Sequence, residues 1–252
     1  VTTGPQTFKG GAVWSVMQTL HNGMVGIGYA LVVLFFAISL CKNTMNFHEL
    51  KRPEAAIHYF LRFVAAKALV GYGMDIMLNV FSICNGIVTD MADSMGGISE
   101  AMVSLPAEMQ TAIENVGFLA SIPLWLVTIL GSLFITVLSF VMILTVYGRF
   151  FRLYMYTALA PLPLAAFAGE STQSVGISFL KSYVGVCLEG AVIVLACIIF
   201  SAFASSGTVV VDPDASVVTQ VWSYLGEVIF NMLVLVGLVK AADRIAKEMF
   251  GL

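Results

Sequence analysis

Five long hydrophobic runs, at about residues 23–41, 63–88, 117–147, 183–205 and 221–239, constrain this chain more than any other feature. Each supplies the roughly 20 apolar residues that a helix needs to cross ~30 Å of hydrocarbon. Lipid offers no partner to a free backbone group, so such segments must be helical. They are not the alternating ~10-residue segments of a membrane barrel. Composition agrees: 59% of the residues are hydrophobic and 11% charged, against roughly 25% charged in a soluble domain.

The basic residues give the runs a direction. Threaded as five spans from an exterior start, eleven of the twelve Lys and Arg lie inside or near the inner boundary, and only Lys9 lies outside. Cytoplasmic loops carry the Lys/Arg excess. The sequence therefore predicts an all-α integral membrane protein with five transmembrane helices, N-terminus outside and C-terminus inside. It reads as one polytopic domain over residues 1–252.

The connections carry further signals. Residues 1–22 read as a short outer interfacial helix with Trp14 near the headgroups. Arg52-Pro53 starts a helix that runs on into the second span, about 54 Å from Pro53 to Val88. The loop 89–116 is acidic, and Met102, Leu105, Met109 and Ile113 recur there at helical spacing. Amphipathic helices on the outer membrane surface, or a contact for an outer partner protein, both fit. Tyr147-Gly148-Arg149 reads as an inner stop. The next apolar stretch, 153–170, is short and contains Pro161 and Pro163. Proline costs about 3 kcal/mol in a helix interior. The stretch therefore reads as a half-helix or re-entrant segment on the cytoplasmic side. Irregular backbone at that depth needs protein or a water-filled cavity around it.

Ionisable residues inside spans cost about 2.5–3.5 kcal/mol each on insertion scales. Here they are Lys67, Asp75, Glu189 and Glu227, and Asn79 and Asn231 follow two of the acids by four residues. Interhelical hydrogen bonds that glue the bundle explain them, and so does a wetted path. Lys67 and Glu189 are both shallow from the inner side, so an ion pair between them is a separate expectation. Lys51, Arg52, Arg62, Arg149 and Arg152 satisfy the topology rule alone, or meet anionic lipid or the phosphates of a polyanion.

Catalysis finds little support. His21 falls outside and His48 and His58 inside, so they share no metal site. No glycine-rich phosphate loop, Cys/His cluster or nucleophile motif occurs, and no cofactor is implied. The four cysteines sit in or beside spans, which gives no disulfide framework.

The stretch from Ala158 to Ala168, then a Ser/Thr patch, then Phe179-Leu180-Lys181-Ser182-Tyr183, resembles the signature region of the TrbL-like family. Pro161-Leu162, Phe167, Thr172 and Phe179 fit the places of that pattern. The resemblance implies an inner-membrane channel subunit of conjugal transfer and type IV secretion machines. Its partners would be copies of itself in a ring, an outer stalk or pilus component, membrane lipid, and transient single-stranded DNA with attached protein. Helices are ~10 Å across, so five of them pack solidly, and only a ring of copies encloses a polymer. A small-solute transporter and a scaffold without a conduit of its own are the other two classes. Paired broken helices, the usual mark of a transporter, are not legible in the chain.

Overall fold

The computed structural model describes residue 6 and residues 11–44, 53–94, 118–206 and 216–252. Its helices are α1 (Ala12–Thr44), α2 (Pro53–Gly71), α3 (Gly73–Ser94), α4 (Phe118–Leu159), α5 (Pro161–Ala165), α6 (Gln173–Ser206) and α7 (Val217–Met249). One 3₁₀ turn, Ala166–Ala168, follows α5. The described residues contain no strand. Among the described residues, four helices are long and apolar enough to cross a membrane, and a fifth crossing results if the bent pair α2 and α3 counts as one. The protein is thus an all-helical, multi-pass membrane protein.

Local chemistry sets the ends. Gly11, at φ +78°, precedes α1, where a side chain would be strained. The Ser216 hydroxyl accepts from the Thr219 amide at 3.4 Å and caps α7. At the other end, Gly251 adopts φ +67°, and the Leu252 amide returns to the Lys247 carbonyl, a left-handed helix terminator.

Three expectations are corrected. The interfacial segment and the first span are one helix, Ala12–Thr44, which continues through the polar Gln18, Thr19, His21 and Asn22. The helix expected from Pro53 to Val88 bends by 70° at Tyr72, between Gly71 and Gly73, which carry no side chains to hold the turn closed. The third span does not stop at Tyr147-Gly148-Arg149. It continues to Leu159 as a helix of 42 residues, about 63 Å long, because Arg149 finds its acceptors inside the protein. The segment containing Met102, Leu105, Met109 and Ile113 lies outside the described residues, as do Lys51 and Arg52.

The chain forms two compact units. The first comprises Val1–Thr89, Gly148–Ala191 and Asp243–Leu252. Its core gathers Val32 of α1, Val70 of α2, Met77 and Cys84 of α3, Leu153 of α4, Leu164 of α5, and Tyr183 and Cys187 of α6. The second comprises Asp90–Tyr147 and Val192–Ala242. In it α4 and α7 meet where the Leu225 side chain fills the space a Cβ would take at Gly131.

Candidate functional site

Two interruptions of helix meet inside the first unit. Proline has no amide hydrogen, so Pro161 cannot satisfy the carbonyl of Thr157 four residues earlier. His21 of α1 takes that place: its Nδ1 donates to the Thr157 oxygen at 2.7 Å. A carbonyl only accepts, so this contact fixes the proton on Nδ1. Both residues are buried. The Thr157 hydroxyl donates in turn to the Leu153 carbonyl at 2.8 Å.

The broken segment is packed, not open. Ala160, Pro161, Leu164, Ala165, Ala166 and Ala168 are buried, and Leu162 and Pro163 are half-buried. A Cβ at Gly28 would stand 3.0 Å from Pro161 and 3.0 Å from Val70. A Cβ at Gly73 would stand 3.1 Å from Leu164. Glycine at these two positions lets α1 and α3 approach α5 closely, as small residues do between membrane helices. The α2–α3 bend and the Pro161 break therefore sit side by side. Beyond α5, the half-buried Thr172 donates its hydroxyl to the Ala166 carbonyl at 2.7 Å and closes the turn. Half-buried Phe179 packs its ring 5.6 Å from Tyr156. Tyr183 donates to the Met77 carbonyl at 2.7 Å, tying α6 to α3.

A ladder of charges lies nearby along α4. Arg152 Nη2 donates to both carboxylate oxygens of Glu189, at 2.7 and 2.8 Å. Arg152 Nη1 bonds Asp243 of α7, whose other oxygen accepts from Lys247 at 2.9 Å. Glu189 is fully buried. Three residues before Arg152, Arg149 is buried as deeply. It donates through Nε to the Val186 carbonyl at 3.2 Å and through Nη2 to the Cys187 carbonyl at 3.0 Å. Its Nη1 has no hydrogen-bond partner among the described residues. Its guanidinium lies directly under Gly190, in space that any Cβ would occupy. Charge-assisted hydrogen bonds are worth about 1.5–3 kcal/mol each, which offsets part of the desolvation of this cation.

Several sequence expectations change here. Lys67 is exposed on α2 and does not pair with Glu189, which Arg152 holds. Asp75 and Asn79 lie together on an exposed face of α3, whereas Glu189 is buried. Glu227 and Asn231 are half-buried on α7 in the second unit. Arg149 cannot meet a polyanion, since it is inside the core, and Arg152 is committed to two carboxylates. Of the described basic residues offered to polyanion or lipid, Arg62 (20% exposed) and Arg152 (29% exposed) keep partly open side chains, and Arg152 is the one held close by two carboxylates. Trp14 packs 6.5 Å from Tyr154 and His21 bonds Thr157, so the start of α1 lies level with the end of α4. At about twice a hydrocarbon thickness, α4 has no end that hydropathy alone can place at a boundary.

Sequence reading missed His21, Thr157, Asp243 and Lys247. Asp243 and Lys247 are four apart and signal a helical ion pair. Pro161 itself points to Thr157, whose carbonyl it must leave free. Nothing in the sequence points from Thr157 to His21. Among the described residues, no group of three or more His, Cys, Asp or Glu is placed to hold a metal.

The fold and this interior define a polytopic helical membrane protein built around broken helices and buried charge. A profile of the TrbL/VirB6 plasmid conjugal transfer like proteins matches residues 1–161. The chain belongs to that family, and so is a component of conjugal transfer or type IV secretion, a structural subunit class. No curated protein and no solved structure matches the chain.

Proposed function

We propose that the protein is a homo-oligomeric inner-membrane channel or stalk-base subunit of a conjugative secretion machine. In this role it assists passage of single-stranded DNA with attached protein, in contact with an outer stalk or pilus component. The observation that carries the reading is the packing of the Pro161 segment. The break that could have opened a path within one chain is filled by Gly28, Val70 and Gly73 from neighbouring helices. A polymer must then travel between copies, along outward faces such as Ser174, Ser178 and Lys181 at the start of α6, which are exposed.

Photo-crosslinkers at Ser174, Ser178 and Lys181 test this during mating. Adducts with transferred DNA, together with crosslinks between copies, are the expected result. Crosslinks between copies without DNA adducts, in a strain that transfers DNA, would make the protein a scaffold without its own conduit.

The charge rule puts the N-terminus outside and the C-terminus, with Lys240, Arg244 and Lys247, in the cytoplasm. The contacts of Trp14 and His21 oppose it, because they set the start of α1 level with the Arg152–Asp243 pair near the other end of the chain. We keep the charge-based threading, since Lys42, Lys51 and Arg52 and the C-terminal bases then share one side. Thiol labelling of Ser15→Cys and Met249→Cys in whole cells decides: one compartment for both sinks the threading.

A second reading, a small-solute transporter, is favoured by the adjoining breaks at Tyr72 and Pro161, because discontinuous helices build transporter sites. Solute flux by the purified protein in liposomes would support it.

A further inference from the structure

We propose that the groove between α2 and the start of α6 binds one anionic phospholipid, with its phosphate on Arg62 and His58 and an acyl chain along α2. The groove has a volume of about 370 Å³, inside the ~300–1,000 Å³ range of small-ligand sites. Its floor is one face of α2, where His58, Leu61, Arg62, Ala65 and Leu69 recur at spacings of three and four. Polarity is graded along that face. His58 and Arg62 lie at one end with Gln173 of α6. Leu69, eleven residues from His58 and so about 16 Å away, lies at the other. Phe167 forms part of the wall. A polar end followed by an apolar channel has the amphiphilic order of a phospholipid.

Charge selects an anionic head. Arg152 is neutralised by two carboxylates, one of them buried. Arg62 instead donates to a neutral acceptor, Gln173 Oε1, at 3.1 Å. Among the described residues, the carboxylate of Glu170 stands 4.0 Å away and is 65% exposed, so water screens most of that attraction. Arg62 itself is only 20% exposed. A half-buried guanidinium beside an open groove favours a phosphate, which it meets bidentately. The same α2 turns Ile57, Phe60, Leu61 and Val64 outward, which sets the groove in a lipid-facing apolar surface.

Native mass spectrometry of the purified full chain tests this, with phosphatidylglycerol and phosphatidylethanolamine of matched acyl chains. Wild type should retain phosphatidylglycerol preferentially, Arg62→Gln should lose that retention at least about fivefold, and Arg62→Lys, which keeps the charge without the bidentate fork, should fall between the two. Ala65→Phe, which leaves every charge in place and fills the groove, should lower retention of both lipids. Equal retention of the two lipids by wild type, or undiminished preference in Arg62→Gln, overturns the proposal. Displacement of the lipid by inorganic phosphate or by a single-stranded oligonucleotide at equal charge also overturns it, since phosphate chemistry alone would then suffice. Thermal melts of each variant separate loss of binding from loss of fold.

Discussion

One helix, α4, passes through two regions that differ in almost everything except hydropathy. From Ile122 to Tyr147 it exposes Trp125, Ile129, Leu133, Phe134, Val137, Phe140 and Leu144, and buries only Leu124 and Gly131. From Gly148 to Leu159 it buries Arg149, Phe150, Leu153, Tyr154, Thr157 and Ala158. An apolar residue suits lipid and protein alike, so the first region needs no particular neighbour. The second holds polar groups that lipid would leave unsatisfied, and each requires a named partner. Specific structure in this protein therefore collects where the polar residues are.

The comparison can be broken, starting with the largest effect. Glu189→Ala leaves Arg152 short of a buried carboxylate and should cost about 3 kcal/mol, measured by steric-trap unfolding in bicelles. A loss near zero would deny the ionic ladder a structural role. Gly28→Leu should cost about 1–3 kcal/mol, because the new side chain meets Pro161 and Val70 in a filled core. The same assay reads it, and Gly23→Leu on the open side of α1 is the control. His21→Ala leaves the Thr157 carbonyl unpaired and should cost about 1–2 kcal/mol. Hydrogen exchange should then rise at residues 157–164, and unchanged protection there would separate the histidine from the break. The smallest effect sharpens the contrast: Phe134→Leu, on the exposed stretch, should shift stability by less than about 0.5 kcal/mol.

Much of the fold is legible because its causes are local. The runs at 183–205 and 221–239 became α6 and α7, and the cost of Pro161 and Pro163 produced the one break that the sequence announced. The Tyr72 bend was not legible. Gly71 and Gly73 sit in an apolar run, and glycine is common in straight membrane helices too. The site was less legible than the fold. Arg152, Glu189 and Asp243 are distant in sequence, and only packing brings a buried acid to one arginine rather than to Lys67. Arg149 read as a boundary residue because an arginine in an apolar run marks an interface by default. Here the carbonyls of Val186 and Cys187 make the interior habitable for it.

That arrangement at Arg149 has a consequence for inheritance. The guanidinium occupies the volume above Gly190, so a side chain at 190 requires the Arg149 head to shift away from the Val186 and Cys187 carbonyls. The two should change as a pair: lineages that lose the cation gain room for a methyl, and a lineage that acquires the methyl first must surrender the cation. Substitution histories across relatives would carry that coupling as a mutual dependence between two sites 41 residues apart.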